Sequence, residues 1–415
     1  MKKNILIIAV CVALLISIQY LMSHSSSIKD EYVSNKNNVQ TNSKENEKMK
    51  FWNTQRKGTN FFNTKPIPQN YEIAKEKGIE FVRLVPSKWT KGKRDFLIGD
   101  VTDYNGLVKE DVDSLLKDLD AADKAGMKVI VSTLSIPGLR YVQFNDGKID
   151  LRIWKDKKYI EQTAQFWRDL AKVLKDHPAV VGYNIINEPQ PERLSTKGEF
   201  WDLDFDKWYK SIENTSQDLN LLYSEVTEEI RKVDKDTPIV LDSGLYATPW
   251  AFKYLKKQND ENTIYSFHMY EPYGYTTKSL NNGKYSYPGK LPTTEGNLEE
   301  WNSKTMNKFF DPVREFQKNN NIAENRILVG EFGCNRNTDG IEAYFEDMIN
   351  VYNKENWSWA FYSFREDEWD AMDYELGKGA PDWRYWEAIE NGENPPESCR
   401  KKNTIWDVIE KQLKN

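Results

Sequence analysis

The chain has 415 residues, room for one large domain or two small ones, and its 39% hydrophobic and 29% charged residues with 21 Gly and 16 Pro exclude a disordered or collagen-like chain. The formal net charge is −6, and the first fifty residues carry seven Lys against four acids, so the remainder stands near −9 and lacks the basic excess of a nucleic-acid binder. Three Cys and the three dispersed residues His24, His177 and His268 exclude a disulfide framework and His-clustered metal motifs.

Lys2 and Lys3 precede an apolar run from Ile5 to Met22, the pattern of a secretory signal and also just long enough to span a bilayer as an uncleaved anchor. Both outcomes stay open for residues 1–22, because no clear small-residue cleavage site follows. Cys11 lies mid-run behind Val10, a poor context for lipid attachment. Residues 23–50 are rich in Ser, Asn, Lys and Glu and read as a flexible tether, so the folded domain is expected over 51–415.

From there, short apolar runs alternate with helical patterns eight times. The expected strands are Lys57–Phe62, Glu80–Val85, Lys128–Thr133, Val180–Asn187, Pro238–Asp242, Thr263–Tyr270, Arg326–Glu331 and Trp357–Phe364. Helical spacing is clearest in Glu110–Ala125, Tyr159–Leu174, Ile341–Tyr352 and Thr404–Leu413. Eight such units predict an α/β fold, a (β/α)8 TIM barrel with long βα loops. A doubly wound open sheet would offer a Gly-rich phosphate turn after an early strand, and none is present.

A barrel of this kind builds its site at the C-terminal ends of its strands. Strand four ends in Asn187-Glu188-Pro189, and strand seven (ILVGE) ends in Glu331. Each Glu alone has a structural explanation, as a cap or an ion-pair partner. On strands four and seven they face one another across the mouth, the arrangement glycoside hydrolysis needs for its acid and its nucleophile or base. A carboxyl spacing of about 5–5.5 Å, that of a retaining pair, is expected. Arg83 lies inside the apolar run FVRLVP and needs an anionic partner, for which Glu331 is the candidate. Arg83 and Tyr270 would hold Glu331 ionised as nucleophile while Glu188 stays protonated. His268 and Tyr270 share one face of strand six and, with Asn187, are candidates to contact sugar hydroxyls or the carboxylates.

These residues resemble glycoside hydrolase family 5, a retaining (β/α)8 family that includes cellulases and mannanases. The matching pieces are Gly58–Asn60, Arg83, Asn187-Glu188-Pro189, His268-x-Tyr270 and Glu331-Phe-Gly, in order over about residues 52–390. The resemblance implies Glu188 as acid/base and Glu331 as nucleophile. Two departures bear on the substrate. The His common in the family at the end of strand three is replaced by Leu134 and Ser135, and the usual sugar-stacking Trp of strand eight is missing. Alternation along WSWAFYSF turns Trp359 toward the helices, leaving Tyr362 as the expected platform.

Aromatic rings in the loops (Trp89, Trp201, Tyr273, Tyr275, Tyr285, Tyr287 and Trp369) suit a polysaccharide cleft, although each ring also serves to pack a loop. The expectation is therefore a retaining hydrolase of β-1,4-glucan or β-mannan type. The alternatives are an exo-acting enzyme on short oligosaccharides and a non-catalytic carbohydrate-binding barrel. No cofactor or metal, no nucleic-acid partner and a monomeric state are expected. The expected location is extracellular, secreted or tethered to the outer face of the membrane by residues 5–22.

Overall fold

Eight parallel strands close into a barrel in the computed structural model, which describes residues 46–90, 94–141, 145–196, 203–293, 296–391 and 393–415. The strands are β1 (Lys57–Phe61), β2 (Phe81–Leu84), β3 (Lys128–Ser132), β4 (Val180–Asn184), β5 (Ile239–Asp242), β6 (Thr263–Met269), β7 (Ile327–Phe332) and β8 (Ser358–Phe361). Each pairs with its sequence neighbour, and β1 closes the ring on β8 with Lys57 opposite Trp359. Closure rules out the open doubly wound sheet. Strand four stops at Asn184, three residues before its expected end.

Two separate hydrophobic clusters follow from the period-two alternation of the strands. Val82, Leu84, Val129, Val131, Val329 and Phe361 point outward against the helices. Phe81, Ile130, Val181, Val240, Ile264, Leu328 and Ala360 fill the lower interior, together with Met49 and Trp52. Met49 belongs to a helix, Glu47–Phe51, that begins four residues before the expected domain start, and the Trp52 indole donates to Val181 O at 2.9 Å. Gly58 is required here, because a Cβ on it would lie 2.5 Å from the Phe81 ring.

Helices Gln69–Glu76, Lys109–Lys124, Lys157–Leu174, Leu219–Arg231, Asp311–Asn320, Ile341–Lys354 and Thr404–Lys414 surround the wall. The helix after β5 is reduced to a 3-10 turn, Pro249–Tyr254, because the polar stretch KKQNDEN that follows offers no amphipathic stripe. Trp359 is buried toward the helices as expected, its indole donating to Asn353. His177 lies beside the start of β4, where its ring accepts from Ala179 N, a structural role. The apolar run of residues 5–22, the tether through residue 45 and Trp201 lie outside the described residues. Among the described residues no helix is long and apolar enough to cross a membrane.

Candidate active site

Above the apolar floor the barrel interior turns polar. Asn60, Arg83, Ser132, Asn184 and Asp242, from β1 to β5, are all fully buried and linked to one another. The Arg83 guanidinium is the hub. It donates to Asn184 Oδ1 at 2.6 Å, Asn187 Oδ1 at 2.7 Å and Asn60 Oδ1 at 3.1 Å. Its fourth partner is Glu331 Oε1 at 2.6 Å. A fully buried cation thus finds charge and geometry together, the condition under which such a group is tolerated.

Glu331 rises from a bulge in β7, where the register with β6 shifts between Val329 and Glu331. Tyr270 donates to its Oε2 at 2.8 Å, so each carboxylate oxygen has its own partner. Glu188 sits opposite with its side chain 24% exposed. Its backbone is left-handed, at φ 48°, a strained conformation that turns the carboxyl back over the barrel. Tyr141, from the loop after β3, donates to both Asn187 O and Glu188 O and holds this turn, and Glu188 N donates to Asp242 Oδ2 at 3.3 Å. His268 Nδ1 lies 2.9 Å from Glu188 Oε1 and 3.8 Å from Glu331 Oε2, while its Nε2 is 3.5 Å from Asp242 Oδ2.

The electrostatics separate the groups. Burial pushes the Glu188 carboxyl above its usual range, and the nearby Glu331 charge adds to this, against an opposing hydrogen bond from His268. Burial lowers the His268 pKa, but Glu331, Asp242 and the bond to Glu188 outweigh it, and the net direction is up. Burial and the Glu331 charge keep the Tyr270 hydroxyl protonated, so it remains a donor. One ligand-type atom from each of Glu188, His268 and Glu331 lies within 4.8 Å of the others. That spacing would also suit a cation, but Arg83 already supplies the positive charge beside Glu331.

The family model for cellulase, glycosyl hydrolase family 5, matches residues 34–368. The chain belongs to that family. It is a glycosyl hydrolase. It is 22% identical over 268 residues to a beta-xylosidase of Phanerodontia chrysosporium, a match covering 61% of this chain but only 48% of that protein. It is 21% identical over 341 residues to endoglucanase C of Acetivibrio thermocellus, covering 76% of this chain and 87% of the relative. A solved glycoside hydrolase superposes with a TM-score of 0.61 at 19% identity, over 86% of this chain and 99% of the other, a likeness of fold.

In this family 5 enzyme the mouth gathers seven of the eight residues singled out from sequence, beginning with Arg83, Asn187, Glu188, His268, Tyr270 and Glu331. Trp369 joins them, since its ring meets Tyr270 edge-on at 5.6 Å and is 41% exposed. Tyr362 does not provide the expected platform. It is 3% exposed, wedged edge-on between Phe62 and Trp369, and its hydroxyl donates to Glu366. The loop after β8 folds Trp369 back over it, so the exposed ring at this position is Trp369. Among the loop tyrosines, Tyr275 and Tyr287 are buried packing residues and Tyr273 is exposed; Trp89 packs on Phe96 and donates to Asn63 O. Asp242, Asn184 and Tyr141 are not among the residues expected from sequence, and Asn60 is expected only as part of the matching piece Gly58–Asn60. Asp242 ends the apolar run PIVLD just as Glu331 ends ILVGE, and that parallel was the available signal.

Proposed function

We propose that the enzyme is a retaining hydrolase of β-linked polysaccharide, with Glu331 as nucleophile and Glu188 as general acid and then base. The supporting observation is the close pairing of the two carboxylates, with oxygens within 4.8 Å, in unlike surroundings. This nearness fits the roughly 5–5.5 Å carboxyl spacing of a retaining pair better than the roughly 6.5–9.5 Å by which an inverting pair makes room for its water.

In the first step Glu331, oriented by Arg83 and Tyr270, attacks the anomeric carbon from one face. Glu188 gives its proton to the departing glycosidic oxygen on the other. The Glu331 charge is part of what raises Glu188, so converting Glu331 to a neutral glycosyl ester lowers the Glu188 pKa. Glu188 is thereby suited to take a proton from water in the second step. Asn187 is oriented by Arg83 through its Oδ1, which directs its amide NH2 toward a sugar hydroxyl.

The endoglucanase relatives favour an internal β-1,4-glucan bond as substrate, with β-mannan next. The β-xylosidase relative keeps an exo-acting enzyme on short oligosaccharides as the alternative. The basic, apolar start of the chain supports action outside the cell, secreted or held at the membrane's outer face. The test is a panel of β-glucans, mannans, xylans and aryl β-glycosides, with the first-formed product anomer followed by proton NMR. Initial release of the β-anomer from a β-linked substrate is expected, and initial release of the α-anomer would overturn the retaining assignment.

A further inference from the structure

Glu192 lies four residues beyond Glu188, in the loop after β4, and is completely buried. No cation among the described residues contacts it. Its Oε1 accepts from the Tyr209 hydroxyl, and its Oε2 accepts from Leu245 N at 3.4 Å in the loop after β5. The approach is so close that a Cβ on Gly244 would sit 2.5 Å from Glu192 Oε1. Burial pushes this carboxyl up to about 7, as befits a group held by hydrogen bonds rather than by a counter-charge.

What Glu192 grips is unusual backbone. Leu245, Tyr246 and Ala247 are three consecutive non-glycine residues in the left-handed region, at φ 49°, 61° and 60°. L-residues resist this conformation singly, and a run of three persists only where its surroundings enforce it. Besides Glu192, Tyr246 N donates to Pro189 O at 3.2 Å, and Ser243 Oγ donates to Thr248 O at 2.7 Å. The barrel wall does not need this run, because β5 has already ended at Asp242. Its effect is to tie Tyr246 to Pro189, the residue after Glu188, through the Tyr246 N to Pro189 O bond, which sets Tyr246 on the flank of the mouth. Arg193 donates to the Tyr246 hydroxyl at 2.5 Å and is itself held by Gln190.

The group that protonates the leaving oxygen stands beside the leaving sugar, so side chains on the flank of Glu188 meet that sugar. We propose that Tyr246 is a specificity-determining contact for the sugar on the leaving side of the scissile bond, and that Glu192 is the positioning residue holding it there. This rests on Glu188 being the acid. A phenol offers a pyranose both an apolar ring face and a polar hydroxyl.

The test uses the full-length protein and two substrates sharing one glycone, a β-linked oligosaccharide and the corresponding 4-nitrophenyl β-glycoside. Tyr246→Ala and Glu192→Ala should each lower kcat/KM on the oligosaccharide by about tenfold to a hundredfold, and on the aryl glycoside by less than about threefold. Glu192→Gln, whose amide oxygen still accepts from Leu245 N while its NH2 donates to the Tyr209 hydroxyl oxygen, should restore most of the loss. Tyr246→Phe covers the case in which the Ala variant does not fold, and should show the same selectivity at smaller size. Equal losses on both substrates, or none on the oligosaccharide, would overturn the proposal. Failure of Glu192→Gln to rescue would overturn the positioning role. A Glu188→Ala control separates the two readings: if its loss is no greater on the oligosaccharide than on the aryl glycoside, the acid assignment is what has failed.

Discussion

Replacing Arg83 with Met removes the buried guanidinium that donates to Glu331 while keeping most of the side-chain volume. Arg83 is fully buried and the Glu331 side chain is 5% exposed, so solvent screening barely weakens their 2.6 Å contact. Removing one partner of such a pair costs about 3–5 kcal/mol, because the other charge stays buried without compensation. Against a typical stability of about 5–15 kcal/mol, this is a severe but survivable loss. Carried into the transition state, where Glu331 must attack as an anion, the same deficit corresponds to roughly two to four decades in kcat/KM at about 1.36 kcal/mol per decade. Arg83→Lys restores a charge but concentrates its donors on one nitrogen, and cannot serve Glu331, Asn184 and Asn187 in the same fork. It should fall between wild type and Arg83→Met. The assay is kcat/KM on an aryl glycoside, with urea unfolding of the same preparations. An Arg83→Met enzyme within about tenfold of wild type and equally stable would refute the role given to the guanidinium.

The Glu188 carboxyl should titrate above the ordinary carboxylate range, and in Glu331→Gln its pKa should fall, since the Glu331 charge helps to raise it; carbon-13 NMR of labelled Glu reports this directly. Because an acid must be protonated to act, the alkaline limb of kcat/KM should follow the Glu188 pKa, with activity lost as pH rises through it. Tyr270→Phe removes the 2.8 Å bond to Glu331 and should lower kcat on an aryl glycoside by about tenfold to a hundredfold, on about 1.5–3 kcal/mol for a bond to a charged group, with circular dichroism unchanged. Trp369→Ala should raise KM for oligosaccharide about tenfold, whereas Tyr362→Phe, which loses only the hydroxyl bound to Glu366, should leave KM unchanged.

The parts of the site legible in the sequence are those where a residue contradicts its surroundings. A carboxylate closing one apolar strand passes as a cap or an ion-pair partner, but two on strands that face each other across the mouth, with an Arg inside a third, do not, and that pattern makes Glu188, Glu331 and Arg83 legible. Asp242 likewise closes an apolar strand, but a single Asp there is equally suited to cap the next helix. Asn60, Asn184 and Ser132 are neutral and small, and their place in the Arg83 network appears only when five strands are brought round one axis. Tyr362 shows the limit of strand alternation. Whether its ring shows a face depends on what the following loop lays over it, here Trp369. The left-handed run at Leu245–Ala247 carries no propensity signal, because none of its residues favours that backbone; tertiary contacts with Glu192 and Pro189 enforce it. The plug at the barrel floor escaped for a similar reason, since Met49 sits among Lys and Glu and reads as part of the tether.

The assignment of Glu331 as nucleophile and Glu188 as acid/base is tested most directly by azide rescue of the two Ala variants on an activated aryl β-glycoside, with the anomeric configuration of the glycosyl azide read by proton NMR. Glu188→Ala should still form the glycosyl-enzyme and give the β-azide, with retention. Glu331→Ala, in which azide occupies the place of the missing carboxylate, should give the α-azide, with inversion. The β-azide from Glu331→Ala together with the α-azide from Glu188→Ala would contradict the account and exchange the two roles.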